Sequence, residues 1–246
     1  ITITKGTICL PRFFEPVTGD TVQLSGETAA HITKSLRMQP GEQLTVCDNG
    51  FDYICEILST GDPVCCRVLS SAPNASEPDL SVTLYQCIPK GDKLELVIQK
   101  AVELGVSEIV PVLSERCVSR PDSKAADKKN IRYNKIALEA CKQSGRGRVV
   151  RVQPMLSFSD AVKQIADYEL KLFFYEGGGT PLSKVIHPAH SCCLFIGPEG
   201  GFSPGEVQTA QNAGAIPVTL GRRILRTETA PLAALCGVML LTGNLE

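Results

Sequence analysis

The sequence GPEGGFSP at residues 197–204, followed by LGRRILRTETA at residues 220–230, decides the fold. Each loop directly follows a short run of strand-forming residues, 193–196 for the first loop and 216–220 for the second. α/β proteins build ligand sites where strands end in polar, glycine-rich turns, and glycine lets the backbone approach a ligand with no Cβ in the way. One such loop is typical of an ordinary strand-to-helix turn. Two in tandem predict a ligand site.

Strand and helix patterns alternate from residue 80 onwards. Strands are predicted at 80–88, 108–112, 170–174, 192–196 and 215–220, and helices at 92–104, 127–143 and 230–241. Glu95 has capping-box spacing after Asp92, and Gly105 is a stop signal for that helix. Ser203 and Pro204 fit the cap and first turn of a further helix. This alternation predicts a mostly parallel sheet with helices on both faces.

Residues 1–72 show short strand patterns separated by turns. The strand patterns lie at 43–47, 53–57 and 65–69. Asp48-Asn49-Gly50 is a strong hairpin signal, because Asn-Gly tolerates the positive φ pair that a tight turn needs. Residues 31–38 predict one short helix closed by Pro40-Gly41. Together these patterns favour a small β-barrel.

A change of composition separates the two patterns. Residues 73–79 are rich in Pro, Ser and Asn and show no apolar period, which marks a linker. The length of 246 residues suits one large domain or two modest ones. We therefore expect an N-terminal domain at 1–72 and a second domain at 80–246.

The charge is unevenly distributed, although the formal net charge is only −1. Residues 116–151 hold eleven Lys or Arg and three acidic residues, a local net charge of +8. A segment of this charge can neutralise several phosphates and release their counterions. The alternative is a solvated loop and a charged helix face. The length of the run favours RNA binding.

The eleven cysteines include no CxxC pair, and Cys87, Cys193 and Cys236 lie in apolar runs. With no recognisable signal segment, we interpret them as buried free thiols of a cytoplasmic protein. The three histidines lack metal-ligand spacing, so no metal site is expected. No run approaches the ~20 apolar residues of a membrane span.

The two loops resemble the signature of the SPOUT methyltransferases. They most closely resemble the RsmE-type family, which methylates N3 of a uridine in small-subunit (16S) ribosomal RNA. Matches at 103–106, 114–116 and 139–146 extend the resemblance over nearly the whole chain. It implies a PUA-like RNA-binding β-barrel domain, then an α/β SPOUT domain whose trefoil knot, at about 192–241, binds S-adenosylmethionine and forms a homodimer.

The resemblance also implies a cofactor pocket made by the two loops. Its expected backbone contacts come from Gly197, Pro198, Glu199, Gly200, Leu220 and Gly221, and its expected walls from Ile224, Leu225, Thr229 and Ala230. Tyr175 and Glu176, at the end of a neighbouring strand, are weaker candidates.

Six residues are implied beside the RNA. They are Arg12, Lys34 and Arg37 in the N-terminal domain, and Arg116, Gln143 and Arg146 in the basic segment. His31 precedes Lys34 in the HxxxxLRM pattern of that domain, but a lone histidine there is better interpreted as a partly exposed helix residue than as a catalyst.

Catalysis is assigned to two residues of the second loop. Uridine N3 is mostly protonated at neutral pH, so attack needs stabilisation of the developing anion, and Arg226 is the candidate cation. Glu228 is the candidate proton acceptor, although a carboxylate of ordinary pKa, ~4.3, is a poor base. The equal alternative for Glu228 is a capping or dimer contact.

The helix predicted at 230–241 is almost entirely apolar, which suits burial against a second chain. Three other functions stay open: a non-catalytic RNA-binding or ribosome-assembly protein, a SPOUT enzyme acting on another RNA nucleotide, and a nucleotide-using α/β enzyme. Cofactor binding distinguishes the first from an enzyme, and the +8 segment argues against the last.

Overall fold

The computed structural model describes residues 10–245 and divides them into two compact units. The first runs to Glu77 and takes in Gly145–Val149, and the second comprises Pro78–Ser144 and the chain from Val150 onwards. Most of the predicted linker, residues 73–77, thus belongs to the first unit. So does a short piece of the basic segment. Residues 1–9 of the predicted N-terminal domain lie outside the described residues.

The first unit is built on a five-stranded mixed sheet that curls into a half-barrel. Its strands are β1 (Arg12–Phe14), β2 (Thr21–Leu24), β3 (Gln43–Asp48), β4 (Phe51–Ser59) and β5 (Val64–Pro73), in the order β1-β3-β4-β5-β2. Strand β1 is parallel to β3, and the other pairs are antiparallel. The predicted hairpin is confirmed, with Asn49 at φ 49° and Gly50 at φ 86° between β3 and β4.

The short helix predicted at 31–38 has different bounds. An α-helix, α1 (Gly26–Ala30), continues as a π-helical turn over His31–Ser35. Arg37 adopts a left-handed φ of 56°, which ends the helical conformation before Pro40-Gly41. The prediction missed this end because nothing in the sequence marks Arg37 as left-handed.

The second unit contains an eight-stranded sheet in which every pairing is parallel, confirming the predicted α/β architecture. Its strands are β6 (Ser81–Cys87), β7 (Glu108–Leu113), β8 (Arg151–Val152), β9 (Leu156–Ser157), β10 (Leu170–Phe174), β11 (Thr180–Pro181), β12 (Ser191–Ile196) and β13 (Ile216–Thr219). The order is β11-β13-β10-β12-β6-β7-β8, and β9 also pairs with β7. The chain therefore passes from β12 over β10 to reach β13. The trefoil knot stays a prediction.

The helices of this unit are α2 (Lys93–Glu103), α3 (Ser123–Ser144), α4 (Phe158–Lys163), α5 (Leu182–Val185), α6 (Pro204–Asn212) and α7 (Ala230–Leu241). Helix α6 begins as predicted, with a capping box between Ser203 and Glu206. Helix α3 begins earlier than predicted, because Asp122 accepts a hydrogen bond from the Ala125 amide at 2.8 Å. The predicted capping role of Glu95 is wrong: among the described residues, no side-chain cap bond forms at this end of α2.

Aromatic packing anchors the first glycine loop to the core of the unit. Phe202, 1% exposed, lies against Phe173 with ring centroids 4.3 Å apart. Tyr85 on β6 and Phe195 on β12 stack at 4.6 Å in the same cluster. Burial of these large side chains is the main force that fixes the loop on the sheet.

Helix α7 packs mostly within its own unit. Ala234, Leu235, Val238 and Met239 are fully buried there. On this face the expected burial comes from the chain's own unit, and burial of the helix against a second chain stays a prediction. The opposite side is left exposed at Cys236, Leu240 and Leu241.

The ten described cysteines are free thiols. Eight are buried, Cys65 is half-buried, and Cys236 is exposed, against the expectation of burial. Within residues 10–245, no helix is long and apolar enough to cross a membrane, and no cluster of metal-ligating side chains is present.

Candidate active site

A cavity of about 540 Å³ opens at the carboxyl ends of β10, β12 and β13. Phe174, Ile196 and Thr219, near these strand ends, contribute to its lining. This is where an open parallel sheet binds ligands, and the volume is in the range of small-molecule sites. The two glycine loops follow β12 and β13, so the fold brings both to one site.

Most of the predicted cofactor residues meet at this cavity. Those that line it are Tyr175, Glu176, Gly197, Pro198, Glu199, Gly200, Leu220, Gly221, Ile224, Leu225 and Ala230. Thr229 is exposed and is not among the lining residues. Their role in binding stays a prediction.

The first loop is packed too tightly to carry side chains at its glycines. Gly201 has φ 64°, and a Cβ there would collide with the Glu176 carboxylate. A Cβ on Gly200 would lie 3.1 Å from Arg116 Cβ, while Arg116 Nη1 donates to the Gly200 carbonyl at 2.9 Å. The glycines keep this wall of the cavity as bare backbone.

A buried hydrogen-bond chain ties the second loop to the first. The Thr227 hydroxyl, 6% exposed, donates to the Gly197 carbonyl at 2.8 Å. Gln86 Nε2 on β6 donates to Thr227 Oγ1 at 3.3 Å and to the Cys87 carbonyl at 2.9 Å. Sequence patterns did not identify Gln86 or Thr227, because partners 141 residues apart leave no local signal.

Lys93, the first residue of α2, links two loop carboxylates. Its Nζ lies 3.1 Å from Glu199 Oε1 and 3.2 Å from Glu228 Oε2. The Lys90 amide also donates to Glu199 at 3.1 Å. Hydrogen bonding of the Lys93 ammonium to the carboxylates of Glu199 and Glu228 raises the pKa of Lys93. No sequence pattern marked Lys93 as part of this site.

The environment of Glu228 weakens its candidacy as a proton acceptor. The pKa of Glu228 is lowered below its ordinary value. The largest cause is a hydrogen bond from its own backbone amide, and the nearby Lys93 ammonium adds to the effect. A carboxylate with a lowered pKa is a weaker base. Glu228 also does not line the cavity. Ion pairing with Lys93 is the better-supported role.

The arginine loop, residues 221–226, lines the cavity along its whole length. Arg222, Arg223 and Arg226 are exposed and line it. Among the described residues, none of these three side chains forms a hydrogen bond or an ion pair. Gly221, at φ 105°, has open space where a Cβ would stand. The loop therefore presents three guanidinium groups to the cavity without a hydrogen bond or ion pair, and the charge of Arg226 contributes to lowering the pKa of Glu228.

Two predicted RNA contacts are occupied inside the first unit. Arg146, 3% exposed, donates through Nε and Nη2 to both carboxylate oxygens of Glu77, each at 2.9 Å. Arg12 donates to both oxygens of Asp52 at 2.5 and 3.0 Å. Arg146 is thus a structural residue with no surface for a phosphate, which corrects the sequence interpretation. Arg12, whose side chain is 17% exposed, has most of its surface covered.

The other four RNA candidates are exposed: Lys34 and Arg37 in the first unit, and Arg116 and Gln143 in the second. Arg116 lies beside the cavity through its bond to Gly200. Gln143 is in the last turn of α3.

Comparison with known families matches both units. A model described as an RNA methyltransferase domain matches residues 76–239, and one described as an RNA methyltransferase PUA domain matches residues 24–69. These matches define the class as RNA methyltransferases that carry a PUA domain, in agreement with the predicted fold.

Individual relatives narrow the class. Ribosomal RNA small subunit methyltransferase E of Bacillus subtilis is 37% identical over 236 residues, covering 92% of each chain. The protein of the same name from Mycobacterium bovis is 32% identical, covering 93% of this chain and 90% of its own. The chain belongs to the ribosomal RNA small subunit methyltransferase E family.

A solved structure agrees in fold. The crystal structure of ribosomal RNA small subunit methyltransferase E from Neisseria gonorrhoeae, bound to S-adenosyl methionine, has a TM-score of 0.86 and 36% identity. The match covers 94% of this chain and 98% of the other.

Proposed function

We propose that the chain is a cytoplasmic homodimeric enzyme that methylates N3 of a uridine in 16S ribosomal RNA, with S-adenosylmethionine as methyl donor. Family membership supports the reaction class. The observation that carries the proposal is the cavity, where two glycine loops and an unpaired arginine meet at the carboxyl edge of a parallel sheet. The uridine and its N3 position come from the family.

The residues of the cavity fit the cofactor. Gly197 and Gly200 present bare backbone to it, because a Cβ at either would stand 3.1 Å from a neighbouring side chain. Backbone amides and carbonyls of these loops can bond the adenine and the amino acid moiety, and Glu176 can accept from ribose hydroxyls. Leu225 and Ala230 supply apolar walls. When bound, S-adenosylmethionine supplies an electrophilic methyl group.

The protein's chemical task is then to stabilise the uridine anion. Loss of the N3 proton places negative charge on O2 and O4, and the Arg226 guanidinium can donate to a planar anion through two N–H groups. The charge of Arg226 is permanent, and no described carboxylate pairs with it. We assign the departing proton to bulk solvent, because Glu228 does not line the cavity and so is not placed to accept it.

Methyl transfer tests this function directly. Purified protein should bind S-adenosylmethionine in a calorimeter and move its labelled methyl group into 16S rRNA or small ribosomal subunits. Gly221→Val should abolish cofactor binding, because the new side chain would enter the cavity. Gly243→Val is the matched control, since Gly243 also has positive φ and open space but lies beyond α7. RNA binding without cofactor binding would identify a non-catalytic RNA-binding protein.

The homodimer is proposed to use the exposed side of α7. Cys236 and Leu240 are four residues apart and leave an apolar strip on that side. Leu240→Asp should dissociate the dimer in sedimentation equilibrium, since it places a charge in an apolar interface. Leu58→Asp, on β4 of the first unit, is the control for an exposed leucine elsewhere. A Leu240→Asp dimer of unchanged affinity contradicts this interface.

A further inference from the structure

The arginine loop holds the most exposed large apolar side chain of the described residues. Ile224 is 86% exposed, whereas the next in exposure, Val118, is 69% exposed. Its neighbour Leu225 is half-buried. Ile224 lines the cavity, and a side chain this exposed still leaves most of its surface open to a second ligand.

The charge of the loop exceeds what the cofactor can use. The loop carries Arg222, Arg223 and Arg226 and no acidic residue. S-adenosylmethionine has a sulfonium and an ammonium group against one carboxylate, so its net charge is positive. A cationic ligand does not favour three unpaired guanidinium groups at the mouth of its site. Their partner must be a polyanion that reaches the same mouth.

Single-stranded RNA combines the features that this loop complements. Its phosphates pair with arginine, and its bases offer flat faces against which exposed side chains pack. Lys93, which also lines the cavity, is already paired with two carboxylates. The phosphate-binding capacity of the cavity mouth therefore lies on the arginine loop.

We propose that Arg222 and Arg223 bind the phosphates flanking the target nucleotide, and that Ile224 packs against a neighbouring base to hold the target unstacked. This inference rests on the proposed function and adds the part of the site that grips the RNA strand. It makes Arg222, Arg223 and Ile224 substrate-binding residues, and it leaves the cofactor to the glycine backbone.

The arginines are tested by the salt dependence of RNA binding. An oligonucleotide of 16S rRNA sequence serves as the probe, and its Kd is measured between 50 and 200 mM salt, about the range over which phosphate contacts are resolved. Each of Arg222→Gln and Arg223→Gln should reduce the log–log slope by about 0.7, the value for one phosphate contact on a single strand. Lys163→Gln, which removes an exposed cation paired with Asp160 on α4, should not change the slope.

The role of Ile224 is tested by measuring its effects on RNA and on cofactor binding separately. Ile224→Ala should raise the KM for RNA severalfold and leave the Kd for S-adenosylmethionine within about twofold, because the side chain faces solvent. Ile216→Ala, an exposed isoleucine at the start of β13, is the control that should change neither value.

The outcomes separate this inference from the function on which it rests. If wild-type protein methylates RNA and both arginine variants keep the wild-type slope, the phosphate contacts are overturned while the enzyme stands. If Ile224→Ala weakens cofactor binding tenfold, or dissociates the dimer with RNA affinity unchanged, the base contact is overturned. If wild-type protein binds RNA with the predicted slopes but transfers no methyl group, the proposed function fails and the RNA contacts stand.

Discussion

The arginines of the two units have opposite environments. In the first unit, Arg12 and Arg146 each bond both oxygens of one carboxylate and are largely covered. In the second unit, Arg222, Arg223 and Arg226 stand exposed at the cavity mouth, and no described carboxylate pairs with them. The same side chain is a structural tie in one place and an open binding group in the other.

The difference shows that the position of a carboxylate decides what a guanidinium does. Arg146 lies in a run of basic residues, yet Glu77, 69 positions away, neutralises it. The arginine loop is short and adds few charges to a count along the sequence. Its one acidic neighbour in sequence, Glu228, forms its ion pair with Lys93 and not with the arginines. A local charge count therefore overestimated the exposed charge at Arg146 and gave no weight to the three exposed arginines at the cavity.

The largest expected effect is on stability. Arg146→Ala should destabilise the first unit by about 3–5 kcal/mol, because it leaves the carboxylate of Glu77 buried without its cation. Chemical denaturation checks this value. The double variant Arg146→Ala/Glu77→Gln should be more stable than Arg146→Ala alone. If Arg146→Ala had wild-type stability, Arg146 would not be a structural residue, and the contrast with the exposed arginines would fail.

Arg226→Ala should act on the rate instead. If the guanidinium stabilises the uridine anion mainly in the transition state, the single-turnover rate falls by roughly 10²–10³, about 3–4 kcal/mol. Cofactor Kd and melting temperature should change little. Arg226→Lys should recover only part of the rate, since a point charge cannot reproduce a planar fork of donors. A joint loss of cofactor binding and melting temperature would instead make Arg226 a structural tie.

The smallest effect is a pH dependence that sharpens the contrast. Burial alone would raise the pKa of Glu77, but the Arg146 guanidinium and the amides of Gly147 and Arg148 lower it overall. The resulting stability is full above the ordinary glutamate pKa of about 4.5 and is lost as the pH falls through the lower folded value. Glu77→Gln should flatten this part of the stability curve. If Glu77→Gln lost stability at acid pH as the wild type does, other titrating groups would be responsible for that loss.

Local signals predicted the fold well where the chain is locally consistent. The Asn49-Gly50 turn, the capping box at Ser203 and the parallel strands of the second unit all follow from short patterns. The left-handed Arg37 and the early start of α3 did not, because they depend on single backbone angles and one cap.

Of the candidate site, only the positions of the two glycine-rich backbone loops could be predicted from the sequence. Glycine spacing located both loops, since bare backbone leaves a signal in sequence. The links made by Lys93, Gln86 and Thr227 join elements more than a hundred residues apart, so no pattern announces them. The same limit hid the exposure of Ile224 and the burial of Leu235 within its own unit.

The most direct test maps the methylated nucleotide in 16S rRNA by mass spectrometry. Small ribosomal subunits that lack the modification are incubated with S-adenosylmethionine and either wild-type protein or Arg226→Ala, and the RNA is digested and sequenced by mass. We predict one N3-methyluridine with wild-type protein and none with Arg226→Ala at the same time point. A methyl group at another atom or base, no methyl group with wild-type protein, or equal methylation by both proteins would contradict chemistry at uridine N3 assisted by Arg226.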